Sequence, residues 1–238
     1  MQYQDILPYL QGKRFSNSLA WHLPRYPRNL VYRMDLLKSM VKDKRIIHLG
    51  CADHPELIQK KIDANRWLHQ ILTDSAQECL GIDINQQGID FMINSLKLNN
   101  VICDNIIESD IPRIAEGSWD YIILGELIEH LDNLNHFLIN LKQKYGHNIK
   151  RMIITVPNAF YIRNVLGAFL GKETINSDHR IWLTPYTLCK NLVQAGLTVE
   201  SIYLVQGHPI SGKYFAARAF LSYFHMLRST IVAIVKLG

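Results

Sequence analysis

Short apolar runs alternate along the chain with longer stretches in which apolar residues recur every three or four positions. The runs are Arg45-Ile46-Ile47-His48-Leu49, Cys79-Leu80-Gly81-Ile82-Asp83, Val101-Ile102-Cys103, Asp120-Tyr121-Ile122-Ile123-Leu124 and Met152-Ile153-Ile154-Thr155-Val156. They end at Gly50, Asp83, Asp104, Gly125 and Pro157. Continuous Ile- and Val-rich runs bounded by turn residues predict strands covered on both faces. Helical spacing fills the gaps, over 86–98, 133–145 and 185–195, the last ahead of Gly196, a residue suited to ending a helix. Alternating strands and helices predict parallel pairing with right-handed crossovers.

Both ends of the chain modify that pattern. Residues 29–41 place Leu30, Met34, Leu37 and Val41 at helical spacing. Residues 1–44 therefore read as a helical lead-in that packs on the sheet or covers its crevice, and 45–238 as the α/β domain. Residues 214–235 first resemble one long basic amphipathic helix. However, 213–227 is aromatic, with Phe215, Phe220, Tyr223 and Phe224, whereas 230–235 is dominated by β-branched residues. The second half reads as a buried strand, like 198–205.

Composition narrows the class. With 238 residues, 48% hydrophobic and 20% charged, the chain suits one globular domain with small additions. Cys51, Cys79, Cys103 and Cys189 lack metal-finger or redox spacing, the expected state in a reducing compartment. Residues 1–10 lack a secretory pattern and no 18-residue apolar stretch occurs, so a cytoplasmic location is expected. The net charge of +5 is uneven: after Glu200 come Lys213, Arg218, Arg228 and Lys236 with no further acid. A solvated face is the simplest account of that basic end, and a peripheral membrane contact is left open.

The chemistry collects at strand ends, where open parallel sheets bind ligands. Leu49-Gly50-Cys51-Ala52 follows the first strand, Asp83-Ile84 closes the second and Asp104-Asn105 the third. Gly50 permits close backbone approach, a carboxylate at Asp83 can accept both hydroxyls of a ribose, and one at Asp104 can accept from an adenine amino group. The three-glycine fingerprint that a dinucleotide pyrophosphate needs is missing. From about 45 to 200 the sequence resembles the class I S-adenosylmethionine-dependent methyltransferases, whose first motif is rich in glycine. The resemblance implies a Rossmann-like, doubly wound α/β fold with a mostly parallel seven-stranded sheet and an antiparallel last strand. It implies S-adenosylmethionine held by Leu49, Gly50, Cys51, Ala52, Asp83, Ile84, Asp104, Asn105, Gly125 and Glu126. His48, Ala52 and His54 depart from the motif, which keeps a non-catalytic cofactor-binding subunit as an alternative.

The densest signal is Gly125-Glu126-Leu127-Ile128-Glu129-His130-Leu131-Asp132. A helical turn starting here would place Glu126, Glu129 and His130 on one face, with Leu127, Ile128 and Leu131 toward the sheet. Two carboxylates and an imidazole suit acid/base work or a divalent metal. The run resembles the Glu-x-x-Glu-His motif of the ubiquinone-biosynthesis and small-RNA O-methyltransferases, and Ser177 to Thr184 resembles the segment that adds a histidine in the latter. That implies a catalytic set of Glu129, His130 and His179. It also implies a metal set of Glu126, Glu129, His130 and His179, taking magnesium or manganese, with a metal-free general base as the other reading. Leu124-Gly125-Glu126-Leu127 is not the Asn/Asp-Pro-Pro-aromatic run of base N-methyltransferases, so oxygen is the expected acceptor atom.

Residues 158–184 and 207–228 are expected substrate-side insertions. Phe160, Tyr161 and Phe169 each read individually as ordinary core; together they read as a lid. The aromatic helix at 215–224, with Arg25, Tyr26 and Arg28, would frame a partly anionic acceptor. Glycans, as in polysaccharide biosynthesis, then quinone-type phenols, then an RNA 2′-hydroxyl are the acceptor classes. Nucleic acid ranks last because no dense basic stripe is present.

Overall fold

The computed structural model describes residues 3–23 and 29–238; Arg25, Tyr26 and Arg28 lie outside the described residues. All seven expected strands form: β1 (Arg45–Leu49), β2 (Glu78–Asp83), β3 (Val101–Cys103), β4 (Trp119–Gly125), β5 (Ile149–Pro157), β6 (Thr198–Val205) and β7 (Thr230–Lys236). They build one sheet in the order β3-β2-β1-β4-β5-β7-β6. The first five pair in parallel, and β7 runs antiparallel to both β5 and β6.

The apolar runs are continuous because both faces are covered. Successive side chains point to opposite sides of a strand. Ile47, Leu49, Leu80, Ile82, Ile122 and Leu124 join one core cluster, whereas Ile46, Cys79, Ile123 and Ile153 join another. Each such aliphatic side chain, fully buried, stabilises the fold by roughly 1.5–3 kcal/mol relative to exposure.

The helices are α1 (Tyr3–Leu10), α2 (Arg33–Val41), α3 (Pro55–Asp63), α4 (Leu68–Thr73), α5 (Gln86–Asn94), α6 (Pro112–Ala115), α7 (Leu134–Tyr145), α8 (Ile162–Phe169), α9 (Pro185–Gln194) and α10 (Phe215–Tyr223). Asn133 and Thr184 cap α7 and α9 by accepting from His136 and Thr187 backbone N–H. Two expected helices are shorter than their spacing. Helix α5 stops at Asn94 because the chain folds back, with Leu98 N–H on Met92 O and Lys97 at φ +59°. Helix α2 starts at Arg33 because Val31 and Arg33 spend their backbone groups on Gln206, beyond the end of β6.

Residues ahead of β1 contribute to both cores. Ile6 and Leu10 are buried in the first cluster, and Leu37 and Val41 in the second. Connections leave β1 toward opposite edges of the sheet, so the crevice of an open parallel sheet falls at the carboxyl ends of β1 and β4. Pro157 and Val205 both lie opposite Thr230, so residues after β5 and after β6 leave from this same edge.

Candidate active site

The loop after β1 is fixed by the end of β2. Gly50 N–H donates to Ile82 O at 2.8 Å, and Ala52 N–H donates to the Asp83 carboxylate at 2.8 Å. The other Asp83 oxygen accepts from Asn85 N–H at 2.9 Å. Burial pushes the Asp83 carboxyl up, and these backbone donors hold it back. Gly50 adopts φ +73°, and a Cβ there would sit 3.1 Å from the Leu127 side chain. A glycine missing from the sequence reading is Gly88 in α5, where a Cβ would come 2.7 Å from the Ala52 Cβ. The helix thus makes the room that Ala52 takes from the loop. Ile84 is 75% exposed, an apolar side chain offered to the crevice beside Asp83. Asp104 and Asn105 follow β3 and spend side-chain acceptors on their own turn, on Asn105 N–H and Ile107 N–H.

Beneath the crevice lies a pair the sequence did not reveal. His48 of β1 and His69 of α4 stack with ring centroids 5.4 Å apart and Nδ1 atoms 3.1 Å apart. One Nδ1–H donates to the other Nδ1, so the two rings cannot both be protonated. Burial, with His69 and Arg33 adding to it, drives His48 well below the usual histidine range, and burial takes His69 down to about 4. Gly125 lies against this layer: a Cβ there would collide with the Leu68 side chain and stand 3.6 Å from His48 Nε2.

The turn after β4 corrects one expectation. No α-helix starts at Glu126. Its N–H prolongs the ladder by donating to Thr155 O, and the residue then takes φ +57°. A short 3₁₀ turn follows over Ile128–His130. The left-handed step takes Glu126 off the face shared by Glu129 and His130. Its carboxylate instead pairs at 2.8 Å with Arg33, which also reaches Thr155 Oγ1. Arg33 was detectable in the sequence: it stands on the same helical stripe as Leu37 and Val41. Ile128 is buried, and Leu127 and Leu131 pack on the core as expected.

Glu129, His130 and His179 come together, each offering one ligand atom within 4.8 Å of the others. Glu126 is not in this group. The 178–180 strap is fastened to the turn by four contacts: Arg180 N–H to Glu129 O, Arg180 Nε to His130 O, His130 Nδ1 to Asp178 O, and Arg180 to Asp132. A carbonyl can only accept, so His130 Nδ1 is the donor, and Nε2 is the ring nitrogen not spent on the strap. The two histidine rings meet edge to face at 4.7 Å. Glu129 is 1% exposed, and neither carboxylate oxygen has a hydrogen-bond partner. Burial, with the Glu126 charge adding to it, pushes its carboxyl up to about 8. His179 is lowered by burial and by His130, and its buried Nδ1 also lacks a partner. A buried carboxyl with no hydrogen bond and two imidazoles beside it suit a cation or a hydroxyl brought from outside.

A groove lined by Ala159, Asn164, Ala168, Lys172, Glu173 and Trp182 adjoins the strap, with Trp182 edge-on to His179 at 6.3 Å. The individual reading of Phe160 and Phe169 as core is overturned. They are exposed, and α8 buries none of its residues. The four residues between Pro157 and Ile162 leave α8 on the rim, with no second layer over it among the described residues.

No protein-family model matches this sequence, and no curated protein matches it. Solved structures do. The small RNA methyltransferase HEN1 superposes with a TM-score of 0.55 at 16% identity, over 92% of this chain and 27% of that one. This chain thus spans about a quarter of that protein's length. A S-adenosylmethionine-dependent methyltransferase from Mesorhizobium loti gives 0.51 at 14% identity, over 85% and 96% of the two chains. Magnesium protoporphyrin IX methyltransferase from Synechocystis PCC 6803, with bound SAH, gives 0.50 at 10% identity, over 85% and 82%. In strand order, in the antiparallel last strand and in these superpositions, the chain has the class I fold of S-adenosylmethionine-dependent methyltransferases.

Proposed function

We propose that this chain transfers a methyl group from S-adenosylmethionine to an oxygen of a hydroxylated acceptor, a glycan first among them. The observation that carries the reading is the Glu129–His130–His179 cluster, buried and internally unsatisfied, at the strand edge where this fold binds its ligand. The cofactor supplies an electrophilic methyl on a sulfonium. The positive-φ Gly50 and the exposed Ile84 are features that fit it. Leu49 to Ala52 would line its approach, Asp83 would accept from the ribose, Ile84 would cover a face of the adenine, and Asp104 with Asn105 would meet its edge.

The acceptor hydroxyl must lose a proton as its oxygen attacks carbon. His130 Nε2 is placed to receive that proton, and the neighbouring Glu129 oxygens are placed to accept from the imidazolium that results. The three residues also fit a divalent cation such as magnesium or manganese, which would acidify the hydroxyl. A phenol ionises near about 10 unaided. An aliphatic hydroxyl lies closer to water, at about 15.7, and needs such a cluster more. This favours sugars over quinone-type phenols. The likeness to HEN1 supports an RNA 2′-hydroxyl as the second reading.

The test is methyl transfer from labelled cofactor onto glycans, phenols and RNA, with and without added magnesium or manganese. Transfer to glycan is expected. Transfer to RNA alone would select the second reading, and cofactor binding without transfer to any of them would leave a binding subunit.

A further inference from the structure

Helices α8 and α10 present unusual surfaces. Helix α8 has no buried residue, and Phe169 and Leu170 at its end are more than four-fifths exposed. Helix α10 buries only Leu221, while Phe215 is 75% and Tyr223 is 67% exposed. Scattered exposed aromatics are ordinary, but two apolar helices without a covering layer are not. Both belong to excursions that leave the same carboxyl edge of the sheet. They are also joined at their roots, because Asn158 donates to the carbonyls of Met226 and Arg228.

The exposed charge on the two helices and on the approach to α10 has one sign. Lys213 and Arg218 stand on 207–224 with no acid, and α8 carries Arg163 and no acid; Arg228 is buried on backbone carbonyls, and Glu173 and Asp178 lie beyond α8. Lys213 lies over the Tyr214 ring at 5.1 Å, an aromatic and a cation side by side on the surface. Phe and Tyr flanked by Lys and Arg suit the boundary between lipid headgroups and acyl chains. No helix among the described residues is long and apolar enough to cross a membrane. Contact would therefore be in the plane of the surface.

We infer that the α8 and α10 excursions form a lipid-contact face that seats the carboxyl edge of the sheet on an anionic membrane surface. Resting on the methyltransferase reading, this makes the acceptor a lipid-linked one, delivered from the bilayer to Glu129, His130 and His179. A second copy of this chain fits helices α8 and α10 poorly, since their cations would face like charges with no acid on either helix. Each basic residue near an anionic surface raises partitioning by about fivefold.

The test is co-sedimentation of the full chain with phosphatidylcholine vesicles, with and without phosphatidylglycerol, at low and high salt. Binding is expected to be at least about tenfold stronger with phosphatidylglycerol and to weaken with salt. The double variant Phe215→Ser with Tyr223→Ser should lose about tenfold in binding, and Arg218→Glu about fivefold or more. All of these positions are exposed, so cofactor affinity by calorimetry should stay at the wild-type value. No vesicle binding, or a double variant that binds as well as wild type, would overturn the inference. So would a wild-type dimer that the double variant dissolves. Vesicle binding without any cofactor binding would sink the methyltransferase reading and leave the lipid-contact face standing.

Discussion

Two histidine pairs hang from neighbouring strands of this sheet. His48 and His69 lie under the β1 end, stacked, 2% exposed each and joined nitrogen to nitrogen. His130 and His179 lie beyond the β4 end, edge to face, half-buried and next to a carboxyl group that has no hydrogen bond and stands 3.9 Å from His179 Nε2. The first pair closes on itself and has no acid in contact, so it can only stay neutral and fill space. The second pair is held from behind, by Asp178 O and the Arg180 strap, and keeps its reactive nitrogens free. Residue type alone does not separate them. What separates them is placement: the closed pair spends its Nδ1 atoms on each other inside the protein and leaves only a buried His48 Nε2, whereas the open pair stands beside a carboxyl with no hydrogen bond.

The largest expected difference is in activity. Glu129→Gln should lower methyl transfer by about 10²–10⁴-fold, the usual share of a positioned acid/base device, with little change in melting temperature. In contrast, His69→Leu should leave the chemistry within a few-fold and act on stability.

Acid should break the closed pair first. Both histidines of that pair have folded pKa values below the ordinary value of 6.5, so between that value and about 4 the unfolded chain binds more protons. Stability is therefore full above about pH 6.5 and falls as pH drops toward 4, by roughly 3 kcal/mol from His69 alone. Denaturant titrations across that range should show the loss, and the His69→Leu variant should show less of it. A pH-independent midpoint would mean the pair is not buried in the neutral form.

On the cofactor side, Asp83→Ala removes an acceptor for both the ribose and the loop amides. Cofactor affinity by calorimetry should fall by about 1.5–3 kcal/mol, the range for a hydrogen bond to a charged group. Unchanged affinity would refute the ribose role. The smallest effect is expected at Gly50→Ala, where positive φ costs about 1–2 kcal/mol and the new methyl presses on Leu127. The melting temperature should drop by a few degrees.

The sheet was legible in the sequence because buried parallel strands write themselves as unbroken apolar runs between turn residues. The placement of His179 beside His130 was legible only through resemblance, since 48 residues separate Asp178 from the histidine it orients. The helical face of Glu126 was misread because a single left-handed residue shifts the register of everything after it, and spacing alone carries no sign of φ. Arg33 was overlooked for a different reason. A cation on an apolar stripe needs a partner, and its partner Glu126 was already assigned to the cluster. Phe160 and Phe169 were each read as core because composition reports how apolar a segment is, and not what lies above it.

The central claim is that His130 acts on the acceptor and not on the fold or the cofactor. The direct measurement pairs two readouts on His130→Ala: transfer of labelled methyl to a glycan acceptor, and the calorimetric affinity for S-adenosylmethionine. Transfer should be abolished while affinity stays within about twofold of wild type. A parallel fall in both, or transfer that survives the substitution, would contradict it.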